Sequence, residues 1–229
     1  MRRYSKQIQI EREEILKRFY GFSQGHAVYA IVHHNIHGKI PIYVGESKNP
    51  KKRFKQHLAV MFGGREGPGP LARKLQKILR KSEIIEFHHL ENVKNIAQAL
   101  AKEASWAQAL KKSGFELANT WAEHHSNVKF ISEIRLMSRM RLSDLESLDV
   151  HVVLDCPKCH TDITITKTDL VKSDIRDITI LELDRTIVCE MCQCQMNLDI
   201  DCHPKLKQLL EIDPSICDVE GFKLALGIL

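Results

Sequence analysis

Two apolar, β-rich runs stand close together near the start of the chain: Ala27-Val28-Tyr29-Ala30-Ile31-Val32 and Ile40-Pro41-Ile42-Tyr43-Val44-Gly45. His33 to Lys39 separates them, with Asn35 and Gly38 as turn formers, so the pair reads as a hairpin. Pro41 has no N–H to donate and belongs at a strand start or on an unpaired edge. Before the hairpin, Ile8, Ile15, Leu16 and Phe19 recur among charges and predict an amphipathic helix over Ser5 to Phe19. After it, Pro50 fits the first turn of a helix through Met61, and the glycines and prolines of Gly63 to Pro70 predict a loop. A basic helix over Leu71 to Arg80, a third strand over Ile84 to Leu90 and a long helix over Ile96 to Lys112, stopped by Gly114, complete this half. Further on, Asp162 to Thr166 and Ile178 to Leu183 alternate as strands do.

Charge changes this picture by dividing the chain. Residues 1 to 141 hold 26 Lys and Arg against 12 Asp and Glu, a balance of +14, whereas residues 142 to 229 hold 8 against 17, a balance of −9. A polyanion senses the local field, so nucleic acid is the natural partner of the first half. All seven cysteines lie beyond residue 155, which favours two domains, 1–141 and 142–229. Hydrophobic residues make up 43% and charged ones 28%, the profile of a globular chain able to build a core. No apolar run suits a signal peptide or a membrane span, and the odd cysteine count points to a reducing compartment, so the expected location is the cytoplasm.

The spacing of polar residues in the basic half suggests a site. Tyr29 and Tyr43 fall in paired strands, and Gly45 ends the second strand where a missing side chain admits a close neighbour or a phosphate. Arg53 and His57, four residues apart, share one helix face and can converge on one ligand. Glu103 sits among small residues of a helix, with Ala99 and Ala107 four positions to either side, and could meet a hard cation. His33 and His37 are mild candidates for contact with the same site.

These residues, with Leu117-Ala118-Asn119 closing the segment, resemble the GIY-YIG nucleases over roughly residues 25 to 121. The resemblance implies an α+β fold with a small three-stranded antiparallel sheet flanked by helices, and hydrolysis of DNA phosphodiesters with one divalent metal, Mg²⁺ or Mn²⁺. It implies that Glu103 binds the metal, Arg53 stabilises the phosphate, Tyr29 activates water, and Tyr43 and His57 support the scissile phosphate. Gly45 and Asn119 are motif positions, and with Lys48, Lys51 and Lys52 they form the expected substrate-binding set. Ala27 stands where the family usually has glycine, and Glu46 follows Gly45 where many members carry Lys or Gln. Glu46 brings negative charge toward the phosphate, either as a second group on the metal side or turned toward solvent and Lys48.

The acidic half carries Cys156-Pro157-Lys158-Cys159 and Cys189-Glu190-Met191-Cys192. Each pair presents two thiolates on a tight turn, and two such knuckles close a tetrahedral Zn²⁺ site resembling a zinc ribbon. Cys194, Cys202 and His203 are competing ligands. Closed coordination by four thiolates predicts a structural role, and the acidic balance predicts contact with a protein, a second copy of the chain included, more than with DNA. The expectation is therefore a metal-dependent DNA endonuclease followed by a zinc-ribbon-like module. Two rival readings are a catalytically silent nucleic-acid-binding protein and an adaptor built around the ribbon.

Overall fold

A computed structural model of the chain describes residues 12–21, 26–62, 69–148, 151–165, 178–200 and 204–228. The first half is built on one sheet containing β1 (Phe19–Tyr20), β2 (His26–Asn35), β3 (Gly38–Ser47) and β4 (Ile84–Val93). The strand order is β1-β4-β2-β3, so the sheet has four strands and not the expected three. The addition is a two-residue edge strand lying parallel to β4, with Phe19 beside Phe87 and Tyr20 beside His88. The other pairings are antiparallel, as predicted. The helix expected over Ser5 to Phe19 is described only from residue 12; helix continues to residue 16 and gives way to β1.

β2 is buried on both faces, which is why it reads as a continuous apolar run rather than an alternation. Its Tyr29 and Ile31 join Ile42, Phe54, Leu58, Leu75 and Phe87 in a cluster on one face, under α1 (Pro50–Phe62) and α2 (Pro70–Arg80). Val28, Ala30 and Val32 face the other way, against Trp106, Ala107 and Leu110 of α3 (Ile96–Lys112) and Phe222 of the C-terminal helix. α3 is apolar nearly all round because it is enclosed on nearly all sides. Its start is fixed by Asn95, whose side chain accepts the N–H of Gln98 at 3.0 Å.

Beyond α3 come the short α4 (Glu133–Arg139) and α5 (Leu145–Leu148), then a three-stranded antiparallel sheet. β5 (Val152–Asp155) lies at its centre, between β6 (Asp162–Ile165) and β7 (Asn197–Ile200). The strand expected over Ile178 to Leu183 is instead the beginning of a helix, α6 (Ile180–Thr186). Thr179 and Glu182 form a reciprocal capping box, and buried Ile180 and Leu183 follow helical spacing; this local signal outweighs the alternation of apolar residues. α7 (Pro204–Leu209) and α8 (Val219–Leu226) close the chain. The charge boundary near residue 142 does not divide the core. One apolar cluster runs from Ile96 and Leu100 through Leu136, Met140 and Leu142 to Val152, Cys156 and Cys189.

Candidate active site

Tyr29 on β2 pairs directly with Gly45 on β3. A Cβ placed on Gly45 would stand 2.5 Å from the Tyr29 ring and 2.7 Å from that of Tyr43, so the glycine admits two tyrosine rings rather than a phosphate. Tyr29 stacks on Phe87 at 4.1 Å between centroids and has no exposed surface. Its hydroxyl shares a 3.0 Å hydrogen bond with His57 Nε2, and the Arg53 guanidinium, which donates to Gln56 at 3.2 Å, acts on it electrostatically. Burial and the Arg53 guanidinium hold His57 down at about 3, so the imidazole is neutral near pH 7. Burial likewise drives Tyr29 well above its ordinary value, with Tyr43 adding to the rise and Arg53 opposing it. Tyr29, expected to activate water, is fully buried, and burial raises Tyr43 as well. Tyr43 is the tyrosine on the cavity wall.

That cavity, of about 100 Å³, is lined by Tyr43, Arg53, Glu103 and Glu46, with Trp121, Arg135 and Arg139 closing it from the far side. α3 places Glu103 in it at 3% exposure. The Glu103 carboxylate accepts a 2.6 Å hydrogen bond from the equally buried Arg135 of α4. Burial lifts the Glu103 carboxyl to about 7 in spite of Arg135, so this group is short of countercharge. Arg135 also donates to His124 Nε2 at 3.0 Å, lies 3.7 Å from Glu123, and has the Trp121 ring 5.0 Å from its guanidinium carbon. Glu46 is buried too, and both its oxygens are engaged, one by Arg139 and the other by His26 at 2.7 Å. Burial opposes ionisation there, but His26 and Arg139 outweigh it and hold the carboxyl down at about 2. Its negative charge is thus cancelled within the protein.

A buried carboxylate oxygen lacking full compensation fits a hard divalent cation. Glu103 meets that description, and the cation would compete with Arg135 for it. The remaining expected residues are distributed unevenly. Asn119 uses its side-chain oxygen and nitrogen on the Val44 peptide, accepting from N–H at 2.9 Å and donating to C=O at 2.8 Å, so it fixes β3 just before Gly45. Lys48, Lys51 and Lys52 are exposed and none lines this cavity; Lys48 lies 3.9 Å from Asp144. His33 pairs with Glu83, and the His37 N–H donates to the Asn35 side-chain oxygen at 2.8 Å, both at the other end of the hairpin. Sequence spacing missed His26, Trp121, His124, Arg135 and Arg139. The one available signal was Arg135 and Arg139 four residues apart on a single helix.

The cysteine centre is built from two equivalent knuckles. The sulfur atoms of Cys156, Cys159, Cys189 and Cys192 all lie within 4.8 Å of one another. Tetrahedral zinc with Zn–S bonds of about 2.3 Å needs sulfurs about 3.8 Å apart, so the four fit such an ion. In each knuckle the first cysteine carbonyl accepts from the residue four positions on, His160 or Gln193, and both of these residues adopt positive φ. The first cysteine N–H in turn donates to the carbonyl of Thr161 or Cys194. Cys194 therefore occupies the position of Thr161, whose hydroxyl lies 3.1 Å from Cys159 as the Cys194 sulfur lies 3.1 Å from Cys192. The Cys194 sulfur also lies 3.2 Å from that of Cys156, so it stands directly against the four-cysteine cluster. Cys202 and His203 lie outside the described residues, and Cys217 packs in the apolar cluster under α8.

No curated protein and no solved structure matches the chain significantly. A family model does: the GIY-YIG catalytic domain matches residues 25–116, the segment carrying Tyr29, Tyr43, Arg53, His57 and Glu103. Residues 25–116 accordingly match the GIY-YIG catalytic domain, and in this chain they are followed by a four-cysteine cluster able to form a zinc-ribbon-like module.

Proposed function

We propose that this pocket hydrolyses DNA phosphodiester bonds as a metal-dependent endonuclease. The observation that carries the reading is the convergence of Tyr43, Arg53 and Glu103 on one cavity within a GIY-YIG domain. Arg53 lines the cavity and is held by Gln56 one turn along the same helix, so its charge is directed at a bound phosphate before the reaction begins. Tyr43, whose hydroxyl lies on the cavity wall, would take the proton of the attacking water in place of Tyr29 only as the phenolate, having first released its own proton to solvent beside the positive charge of Arg53 and a bound cation. Burial and Glu103 both raise the proton affinity of Tyr43, and Arg53 lowers it. Glu103 is the residue to hold Mg²⁺ or Mn²⁺, which when bound supplies positive charge against the phosphate and eases loss of a proton nearby. Four thiolates leave a zinc ion no open position, so the cysteine cluster is assigned a structural Zn²⁺ in a cytoplasmic protein.

One observation favours a second reading, nucleic-acid binding without cleavage: Arg135 already occupies Glu103. Single-turnover cleavage of a labelled duplex in Mg²⁺ separates the two. Tyr43→Phe should lose about 10²- to 10⁴-fold in rate, the usual worth of a positioned base. Tyr29→Phe should lose less, since Tyr29 does not line the cavity. Equal rates for wild type and Tyr43→Phe would remove the assigned base, and an inactive wild type would favour the silent reading.

A further inference from the structure

A second cavity, of about 270 Å³, adjoins the catalytic one and shares Glu46, Arg53 and Arg139 with it. It lies between the start of β2, the end of β3, the first turns of α1, the start of α3, and the end of α4 with the segment that follows it. Lys48, Arg53, Arg139 and Arg141 line it, against two carboxylates, Glu46 and Asp144. Both carboxylates are already engaged. Glu46 is held by His26 and Arg139, while Asp144 accepts from the Arg141 N–H at 2.9 Å and lies 3.9 Å from Lys48. Four cations stand against two carboxylates, a formal balance of +2, with Arg139 already paired to Glu46. Arg53 contributes a further sign: its Nε is buried without a hydrogen-bond partner among the described residues. Arg139 is only partly covered, with 44% of its side chain exposed beside Glu46.

We propose that this cavity is a phosphate subsite for the nucleotide next to the scissile one, formed by Arg139 and Arg141 together with Lys48. The inference rests on the nuclease reading of the neighbouring pocket. Arg53 and Arg139 wall both cavities, so a strand with one phosphate against Arg53 in the catalytic cavity carries its neighbouring phosphate directly into the second. Arg139 and Arg141 lie outside residues 25–116, so the segment after the GIY-YIG domain supplies part of the substrate grip. A guanidinium fork suits a phosphate better than a lysine does, because it offers two parallel donors in one plane.

The test is binding of a short fluorescein-labelled duplex in EDTA, followed by anisotropy across a salt series. Arg139→Gln and Arg141→Gln should each weaken binding of all sequences alike and make the log–log salt slope shallower by about 0.9, the loss of one phosphate contact. Arg139→Lys should restore the slope and only part of the affinity. Arg139 also balances Glu46, so exposed Arg141 and Lys48 provide variants with less risk to folding. KM for cleavage in Mg²⁺ provides the same comparison where binding in EDTA is weak. If wild type cleaves plasmid DNA and all these variants match it in slope, affinity and KM, the subsite is wrong and the nuclease reading stands. If wild type neither binds nor cleaves DNA, both fall.

Discussion

The tyrosines and the glutamates of the catalytic cavity are held in opposite ways. Tyr29 and Tyr43 are placed by close-packed neighbours: a glycine under both rings, Phe87 against Tyr29, and His57 and Arg53 one helical turn apart on α1. Glu103 and Glu46 are placed by charges from far along the chain, Arg135 at a separation of 32 residues and Arg139 at 93. Packing leaves the tyrosine side one arrangement. Ion pairing leaves the glutamate side exchangeable, because a cation or a phosphate can replace either partner. On the proposed nuclease reading, the rigid side would position the phosphate, and the exchangeable side would make activity depend on what competes for the carboxylates.

The largest effect that bears on this contrast should come from zinc. Cys156 and Cys189 belong to the apolar cluster that includes Leu136 and Met140 of the α4 region, so the knuckles support the arginines as well as themselves. Metal binding and folding are coupled in such sites by roughly 10 kcal/mol or more. Cys156→Ser, or chelation, should unfold residues 152–200 and release Arg135 and Arg139 while the β2–β4 sheet persists. Amide hydrogen exchange would show loss of protection confined to the second half and α4; uniform protection would detach the cysteines from the site.

Acid should come next. His57 titrates near 3 and His124 near 2 in the fold, against an ordinary 6.5, and Glu46 near 2 against 4.5. Each folded value is depressed, so the stability they contribute is present above the ordinary value and lost as pH falls toward the folded one. Glu103 runs the other way: raised to about 7, it favours the fold below 4.5 and loses that contribution as pH rises through 7. Melting temperature should therefore fall on acidification from about pH 6.5 toward 3. In Glu103→Gln the decline should begin at higher pH, since the opposing group is gone. A flat profile over that range would show that the buried histidines are not neutral.

Arg135→Gln should cost about 3 to 5 kcal/mol of stability, as expected when one partner of a buried ion pair is removed. It should also raise Mn²⁺ affinity by at least about tenfold, the worth of one charge-assisted hydrogen bond no longer competing for Glu103. Calorimetric titration of the variant without DNA checks this; unchanged affinity would separate Arg135 from the metal site. The smallest effect belongs to the packed side. Gly45→Ala should destabilise by about 1 to 3 kcal/mol through overpacking against the two rings, read from denaturant midpoints. No change would mean that the rings give way freely.

The same division governs how much the sequence revealed. β2, β3, β4, α1 and α3 follow from runs, turns and periods within a few residues, and the positions of Tyr29, Tyr43, Arg53 and His57 follow with them. β1 escaped because two residues carry no period. Ile178 to Leu183 was misread because its apolar positions fit both a strand and a helix until Thr179 and Glu182 are recognised as a capping box. The arginine partners of Glu103 and Glu46 escaped for a physical reason: an ion pair across tens of residues leaves no local pattern. The role of Asn119 emerged only with its two bonds to the Val44 peptide.

Conversion of supercoiled plasmid to nicked and linear forms in Mg²⁺, by wild type and by Glu103→Gln side by side, tests the central claim most directly. Wild type should cleave only with a divalent cation present. Glu103→Gln, which keeps the shape and loses the charge, should bind DNA and cleave it slower by on the order of 10³-fold, equivalent to about 4 kcal/mol of transition-state stabilisation. Cleavage by Glu103→Gln at the wild-type rate, or none by wild type in either Mg²⁺ or Mn²⁺, would contradict the account.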